Sequence, residues 1–470
     1  MRYVSTRGQA PTLGFEDVLL TGLARDGGLY LPQAWPTFSA DKIAGFAGQP
    51  FDLVATDVVD ALAGGAIPRD ELARMAREAY ATFGHAAVTP LVQIAPNRFV
   101  LELFHGPTLA FKDVAMQLLA RLMDYVLAKR GERATIVGAT SGDTGGAAIE
   151  AFRASKRTDV MILFPDGRVS DVQRRMMTTP TEPHIHAIAI DGTFDDAQAR
   201  VKDLFNHHAF RDRVKLSGVN SINWARIAAQ VTYYFVAGAA LGAPHRKVSF
   251  IVPTGNFGDI FAGYVARMMG LPIETLTIAT NSNDILARTV STGTYETRGV
   301  VATSSPSMDI QVSSNFERYL FEASGRDAAR VGQMMDQLKQ GGRFVLDVAL
   351  AQRLKADFAA GAADEATVTK TISVTLAESG YLLDPHTACA VAACSKPTRA
   401  TAQAPQVILA TAHPAKFPDT VAAIAGIKPG LPKRLNRLMS DPERIHRLPN
   451  DVRAIETYVA SHARAAKEGA

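Results

Sequence analysis

Short apolar runs in this sequence repeatedly pass through a glycine-rich turn into a helical pattern. Arg133–Thr140 is predicted to be a buried strand, and a glycine-rich turn separates it from a predicted helix over Ala147–Ser155. Lys247–Pro253 leads in the same way into a predicted helix over Asp259–Met269. This alternation predicts an α/β fold with parallel sheets and helices on both faces. Because ligands of such sheets bind at the carboxyl ends of strands, the glycine-rich turns are candidate binding loops.

The pattern also predicts three regions along the 470 residues. Residues 1–88 are predicted to form a mainly helical N-terminal domain, residues 89–430 an α/β region of two lobes, and residues 431–470 a helical tail. Residues 327–378 are expected to be helical throughout. Further strands are predicted at Val160–Pro165, Ile185–Ile190, Thr275–Ala279 and Gln406–Thr411.

Composition excludes several classes of function. Hydrophobic residues make up 47% and charged residues 20%, as in ordinary globular proteins, and no apolar run is long enough to span a bilayer. The first residues lack the apolar core of a signal peptide, so we expect a cytoplasmic protein. The net charge of +4 is spread thinly, which argues against nucleic acid as a partner. Cys389 and Cys394 are expected to be buried thiols, since their spacing fits neither a disulfide framework nor a zinc site.

Lys112 opens a predicted amphipathic helix directly after the turn at Gly106-Pro107. The positive end of the helix dipole and burial both favour a neutral amine at this position. A neutral amine condenses with aldehydes, which makes Lys112 a candidate Schiff-base lysine. The alternative is a surface lysine that pairs with Asp113 or extends into solvent.

Two glycine-rich loops are candidates for anion binding. Pro253–Asp259 stands between a strand and a helix, where backbone amides and the helix dipole favour a phosphate; the alternative is a plain strand-to-helix turn. Ala139–Gly146 has the same placement and adds hydroxyls and a carboxylate, so it suits a carboxylate or a second phosphate. The alternative there is a capped helix, with the N-cap at Ser141, Asp143 or Thr144.

The order of these features resembles that of fold-type II pyridoxal phosphate enzymes, the tryptophan synthase β-like group. They are a helix-opening lysine, a hydroxyl-rich loop, a Gly-Asn-Phe-Gly cup and a late threonine, Thr411, at the end of a strand. Longer stretches resemble the threonine synthase family, in its branch with a long N-terminal extension. These stretches are Asp26–Pro32, Phe104–Asp113, Ser141–Gly145, Asn220–Ile227, Pro253–Asp259, Ser307–Arg318 and Thr411–Phe417.

The resemblance implies two parallel-sheet lobes behind a helical N-terminal domain, with the site between the lobes. It also implies a lyase that binds pyridoxal 5′-phosphate and converts O-phospho-L-homoserine and water to L-threonine and phosphate. Lys112 matches the Schiff-base lysine, Thr411 the residue facing the pyridine nitrogen, and Asp143 a position near the cofactor's 3′-oxygen that many relatives fill with asparagine. The cofactor phosphate loop is matched by Gly255, Asn256, Phe257 and Gly258.

Two further anions of the substrate require partners. Around the substrate carboxylate the candidates are Ser141, Gly142, Asp143 and Thr144. For the γ-phosphate, Arg226 is favoured because a guanidinium fork suits phosphate geometry, although an ordinary salt bridge on a core helix remains the alternative. Its expected companions are Ser221 and Asn223, with Ser313, Ser314 and Asn315 as second choices.

Four histidines lie in or near these motifs without a settled role. His105 and His413 either donate to anions or are packed with one backbone hydrogen bond. His184 and His186 alternate on one strand face, and no metal is expected there because no third ligand lies nearby in the sequence.

Two other functions compete with threonine synthesis. A threonine or serine dehydratase would use the same lysine and phosphate cup, and a relative that has lost catalysis would only bind phosphate or cofactor. The sequence leaves the choice between a monomer and a homodimer open.

Overall fold

The structure, a computed structural model, describes residues 1–394 and 404–467. The N-terminal part is mainly helical, and β1 and β2 form a small antiparallel ribbon within it. Its elements are β1 (Tyr3–Ser5), α1 (Phe15–Thr21), β2 (Tyr30–Pro32), α2 (Ala40–Ala44), α3 (Phe51–Ala63) and α4 (Arg69–Tyr80).

Strands and helices then alternate, as the sequence predicts. The first group consists of β3 (Leu91–Ala95), β4 (Arg98–Glu102), α5 (Lys112–Arg130), β5 (Ala134–Ala139), α6 (Asp143–Phe152), β6 (Thr158–Pro165), α7 (Asp171–Thr178), β7 (Ile185–Ile190), α8 (Phe194–Asn206), α9 (His208–Arg213) and β8 (Leu216–Ser217). The second group consists of α10 (Trp224–Ala240), β9 (Val248–Pro253), α11 (Gly258–Met268), β10 (Ile273–Thr280), α12 (Ile285–Thr292), β11 (Thr294–Glu296), α13 (Phe316–Ala323), α14 (Ala328–Gly341), β12 (Arg343–Val345), α15 (Val348–Asp357), β13 (Phe358–Ala362), α16 (Glu365–Ser379), α17 (Pro385–Ala392) and β14 (Gln406–Ala410).

The chain ends with α18 (Pro418–Ala425), β15 (His446–Leu448) and α19 (Val452–His462). Single 3-10 turns occur at Pro306–Met308, Pro414–Lys416, Lys433–Leu435 and Arg464–Ala466.

Two sheets define the two lobes. The larger has the order β13-β10-β9-β14-β4-β3, and all its pairings are parallel except that of β3 with β4. The smaller has the order β15-β7-β6-β5-β8 and is parallel throughout. Helix α5 leaves the larger sheet after β4 and leads to β5 of the smaller sheet, so Lys112 stands where the chain crosses between lobes.

Three predictions about elements were wrong. Residues 327–378 contain β13, an edge strand of the larger sheet, and the predicted helical tail contributes β15 to the edge of the smaller one. Helix α6 begins at Asp143, ahead of the predicted start at Ala147, because the hydroxyl of Thr140 accepts hydrogen bonds from the amides of Gly142 and Gly145. Residues 395–403 and 468–470, which belong to the predicted α/β region and tail, lie outside the described residues.

The N-terminal part shares its core with the α/β body. Helix α3 packs against α10, and α4 packs against α5. Trp224, the first residue of α10, is fully buried with its ring centroid 6.0 Å from those of both Tyr3 and Trp35. None of the helices described is long and apolar enough to cross a membrane.

Candidate active site

Three adjacent strands of the larger sheet, β9, β14 and β4, end at one cavity of about 1240 Å³. The segments that follow them are the glycine-rich loop at 253–258, Thr411, and the turn that leads to Lys112. The amide of Phe111 donates to the carbonyl of Thr411 (2.9 Å), and the amide of His413 donates to that of Leu109 (3.0 Å). The parallel register of neighbouring strands therefore brings three distant parts of the chain to one site.

Lys112 is the first residue of α5 and is only 8% exposed. Its Nζ lies 3.3 Å from Oδ2 of Asp143, and the neighbouring Asp113 instead accepts hydrogen bonds from the amide and hydroxyl of Thr108. The surface alternative for Lys112 is therefore excluded. Burial lowers the pKa of Lys112; Asp143 opposes this shift, whereas the positive charges of Lys416 and Arg226 add to it. The site thus favours a neutral amine.

Asp143 receives four donors from four different parts of the chain. Oδ1 lies 2.5 Å from Nζ of Lys416 and 2.8 Å from the side-chain nitrogen of Gln173. Oδ2 accepts from the hydroxyl of Ser307 (3.1 Å) and from Lys112. Burial opposes its ionisation, but the positive charges around it, first of all Lys416 and Lys112, hold the pKa of Asp143 well below its usual value.

The loop around Asp143 only partly matches the predicted carboxylate site. The N-cap of α6 is Gly142, and the side chain that binds an amide of its first turn is the hydroxyl of Thr140, which accepts from Gly145; this excludes the predicted capping role of Ser141, Asp143 and Thr144. Asp143 and Thr144 line the cavity. Ser141 and Gly142 are not among the described residues that line it.

The second loop places the start of α11 at the cavity. Gly255, Asn256, Phe257 and Gly258 all line it, and no side chain caps α11. Phe257 has a φ of +63°, a conformation that costs free energy in a residue with a side chain. Its buried ring packs on those of Phe316 (5.2 Å between centroids) and Phe358 (5.4 Å), which holds the turn in place. The uncapped amides of the first turn of α11 are therefore donors suited to an anion.

A second segment braces this loop. The hydroxyl of Ser313 donates to the carbonyl of Gly255 (2.6 Å). The side-chain amide of Asn315 donates to the carbonyls of Asn256 (3.1 Å) and Ser221 (3.2 Å). Ser313 and Ser314 line the cavity, as predicted for second-choice phosphate ligands, whereas Asn315 is fully buried behind the loop. Its amide is already engaged with backbone carbonyls, so we assign Asn315 a bracing role in place of the predicted substrate contact.

Arg318 connects that brace to the N-terminal part. Its buried guanidinium donates to the side chain of Asn315 and to the carbonyls of Ile222 (2.6 Å) and Tyr30 (3.1 Å). Burial lowers the pKa of Arg318 to about 9. Arg318 thereby fixes the loop before α10, the segment that contains Asn315, and strand β2 to one another.

Arg226 lies on α10 and lines the same cavity, 3% exposed. Its Nη1 donates to the carbonyl of Val219 (3.3 Å), its Nε has no hydrogen-bond partner, and no carboxylate among the described residues forms an ion pair with it. Burial lowers its pKa to about 10. The salt-bridge alternative is therefore wrong, and the guanidinium is available to an anionic ligand.

The two predicted companions of Arg226 differ in position. Ser221 lines the cavity. Asn223 is fully buried; its Oδ1 accepts from the amide of Ala225 as the N-cap of α10, and its Nδ2 donates to the carbonyl of Leu19 (2.9 Å). Because Asn223 is fully buried and is not among the described residues that line the cavity, the predicted contact with a substrate phosphate is replaced by this capping role.

The predicted histidines are held by neighbours within the fold. His105 lies 2.7 Å from Oε2 of Glu102, and His184 lies 3.1 Å from the carbonyl of Phe152. His413 accepts from the amide of Ala415, and burial lowers its pKa to about 4. Within the described ranges no group of three or more histidine, cysteine or acidic side chains could hold a metal ion. Both cysteines are free, with Cys389 buried.

Four residues at this site were missed by sequence reasoning: Lys416, Gln173, Ser307 and His386. Ser307 connects His386 to Asp143, because its hydroxyl donates to Asp143 and its backbone amide to Nε2 of His386 (3.3 Å). His386 is in turn fixed by Asp384, which lies 2.8 Å from its Nδ1. Lys416 and Ser307 lie inside stretches that the sequence singled out, but nothing local marks their side chains as facing Asp143.

These features fit pyridoxal phosphate. The start of α11 offers uncapped amides for its phosphate, and a Cβ on Gly255 would lie 2.8 Å from the carbonyl oxygen of Ser307, so the loop is packed to backbone contact. Lys112 offers a buried amine, and Thr411 a hydroxyl beside it. The family model for pyridoxal-phosphate dependent enzymes matches residues 82–412. The fold and site are those of a fold-type II pyridoxal phosphate enzyme.

Two further family models match, described as threonine synthase N terminus over residues 2–80 and threonine synthase, C-terminal over residues 387–459. A threonine synthase from Pseudomonas aeruginosa is 50% identical, with 99% of this chain and 100% of that protein covered. The crystal structure of a pyridoxal-phosphate-bound threonine synthase from Brucella melitensis is 59% identical, with a TM-score of 0.95 over 99% of this chain and 100% of that one. The yeast threonine synthase structure is 37% identical, with a TM-score of 0.91 over 98% of each chain. The chain belongs to the threonine synthase family.

A substitution in the phosphate loop tests the fit. Gly255→Ala should weaken binding of pyridoxal phosphate by about 5- to 150-fold, because overpacking by one methyl group costs about 1–3 kcal/mol. The measurement is a fluorescence titration of the cofactor-free full chain with pyridoxal phosphate.

Gly332→Ala is the matched control. A Cβ there has no neighbour within 4 Å, so the cofactor affinity should stay at that of the unmodified protein. Equal affinities of the two variants would show that the 255–258 loop is not the cofactor phosphate site.

Proposed function

We propose that this chain converts O-phospho-L-homoserine and water to L-threonine and phosphate, with Lys112 as the residue that binds the cofactor and transfers protons. The observation that carries the proposal is the burial of Lys112 at the junction of three strand ends, opposite Asp143 and beside the uncapped start of α11. Membership of the threonine synthase family supports the choice of reaction.

The residues around the cavity would hold the cofactor in three places. Gly255, Asn256, Phe257 and Gly258 offer the amides of the α11 start to its phosphate. Thr411 would offer a hydroxyl to its pyridine nitrogen, and Asp143, which lies 3.3 Å from Lys112, would be a neighbour of its 3′-oxygen. Pyridoxal phosphate, when bound, supplies an electron-withdrawing ring that stabilises negative charge on the substrate carbons.

Lys112 is the proton carrier in this proposal. Burial lowers the pKa of its amine and so favours the neutral form, in which Nζ is able to take the proton of the substrate α-carbon and return a proton later in the cycle. Lys112 is only 8% exposed, which shields its proton transfers from bulk water.

The two substrate anions are assigned to different residues of the cavity lining. Arg226, with no carboxylate partner of its own, supports binding of the γ-phosphate, together with Ser221, Ser313 and Ser314. For the substrate carboxylate we favour Thr144 and the backbone amides at the start of α6. Asp143 is removed from the carboxylate set, because an ionised carboxylate repels another one.

Replacement of Lys112 tests the central assignment. Lys112→Ala should lower threonine formation from O-phospho-L-homoserine by at least about 10²–10⁴-fold, since the variant lacks the proton carrier. Threonine and inorganic phosphate are measured together, and equal release of both by the unmodified enzyme is expected. Release of phosphate with 2-oxobutyrate would indicate the competing dehydratase reaction, and no turnover by the unmodified chain would indicate a binding protein.

Replacement of Arg226 separates ligand binding from structure. Arg226→Gln should raise the KM for O-phospho-L-homoserine by about 10- to 150-fold, the equivalent of about 1.5–3 kcal/mol for hydrogen bonds to a charged group. The melting temperature of the ligand-free variant should not fall, because the guanidinium it removes is buried without a carboxylate.

The control is Arg437→Gln, whose side chain is 80% exposed and pairs with Asp441 at the surface. It should leave both KM and melting temperature unchanged. An Arg226→Gln variant with normal KM and a lower melting temperature would assign Arg226 to structure alone.

We further propose a cytoplasmic enzyme, a monomer or homodimer, divided into a helical N-terminal domain at 1–88, a catalytic α/β region at 89–430 and a C-terminal tail at 431–470. The two free cysteines support a reducing compartment. Light scattering coupled to size-exclusion chromatography should give a mass of about one or two times 50.4 kDa; a larger assembly would contradict this proposal.

A further inference from the structure

A second lysine, Lys416, is buried beside Lys112. It is 1% exposed and belongs to the 3-10 turn that follows Thr411. Its Nζ lies 2.5 Å from Oδ1 of Asp143 and donates to the carbonyl of Thr108 (2.9 Å), in the turn that precedes Lys112. Lys416 therefore contacts both the carboxylate opposite Lys112 and the backbone that positions Lys112.

The other charged groups around the two lysines leave Asp143 as their shared counter-ion. Arg226 and His386 add positive charge or the capacity for it. Asp259 interacts with the hydroxyls of Tyr233 (2.5 Å) and Tyr234 (3.0 Å), and Asp113 interacts with Thr108. Among the residues described, only Asp143 forms an ion pair with either lysine.

One carboxylate cannot compensate two ammonium groups equally. The contact of Asp143 with Lys416 is the shorter one, at 2.5 Å against 3.3 Å for Lys112. When Lys416 is present, its ammonium group already compensates the charge of the carboxylate that lies opposite Lys112. Without Lys416, the same carboxylate would attract a proton to the nitrogen of Lys112, since an opposite charge within 4–6 Å favours the charged form.

We propose that Lys416 is a positioning residue that neutralises Asp143, so that the nitrogen of Lys112 loses its proton more readily. Its bond to the carbonyl of Thr108 keeps this counter-charge at a fixed place relative to Lys112. The consequence suits a residue that must both take and return a proton near neutral pH. The proposal rests on the assignment of Lys112 as the cofactor-binding lysine.

The test is a pH titration of the cofactor absorption band of the purified holoenzyme, which reports protonation of the nitrogen that Lys112 contributes. Lys416→Met should raise the pH midpoint by about one to three units. Lys416→Arg keeps the positive charge, so it should raise the pH midpoint by less than about half as much as Lys416→Met does. The double variant Lys416→Met/Asp143→Asn removes both charges and should return the midpoint toward that of the unmodified enzyme. Lys428→Met, an exposed lysine, is the control and should not shift it.

Two results would overturn the proposal. A normal midpoint in Lys416→Met, with a band of normal intensity, would show that Lys416 does not act on Lys112. A raised midpoint that the double variant fails to lower would show that it does not act through Asp143. If Lys416→Met does not fold, Lys416→Gln takes its place in both comparisons, because it also removes the positive charge while keeping Asp143. Failure of the underlying assignment is distinct, since Lys112→Ala would then retain the band.

Discussion

The insertion of β14 between β4 and β9 is the constraint on which the site depends. These three strands come from residues 98–102, 248–253 and 406–410, and their parallel pairing aligns their carboxyl ends. Backbone hydrogen bonds of the sheet therefore fix the turn that carries Lys112, the loop at the start of α11 and Thr411, independently of the side-chain contacts at the site. A slip of one residue in β14 would reverse the facing of its side chains and move Thr411 away from the other two segments.

A second level of organisation connects this sheet to the rest of the molecule. The smaller sheet supplies Asp143 from the end of β5, and the crossing helix α5 supplies Lys112, so the ion pair at 3.3 Å bridges the two lobes. Arg318 also binds the carbonyl of Tyr30 in the N-terminal part and the side chain of Asn315, which braces the 255–258 loop. The N-terminal part is thus a structural component of the site, and residues such as Gly27 and Leu29 line the cavity directly.

The sequence predicts those features that depend on local pattern. Apolar runs located β5, β6, β7, β9 and β14 within a residue or two, because a buried parallel strand is apolar throughout. Short edge strands such as β13 and β15 carry little pattern of that kind, since only one side of each is paired, and they were missed.

At the site, Lys112 and the 255–258 loop are marked by their neighbours in sequence. Lys416 and Gln173 are not, because Gln173 reaches Asp143 through the packing of α7 on α6, and Lys416 reaches it from the end of a strand in the other sheet. Asn223 was assigned to the substrate although its amide caps its own helix, a local role that its position before α10 already allowed.

The buried polar atoms without partners show how the site balances stability against binding. Nε of Arg226, Oε1 of Gln230 and Oδ2 of Asp259 are all buried without a hydrogen bond, and all three residues line the cavity. Leaving such an atom unpaired costs about 1–3 kcal/mol, so these three together reduce the stability of the free protein. This cost is offset by apolar packing around α10 and α11, which is centred on Trp224, Tyr233 and Tyr234. The oxygens of Gln230 and Asp259 accept hydrogen bonds, so they pair only with donor groups of a ligand, whereas Nε of Arg226 is a charged donor that suits a phosphate. The unpaired guanidinium nitrogen of Arg226 therefore favours a phosphorylated substrate over an uncharged one.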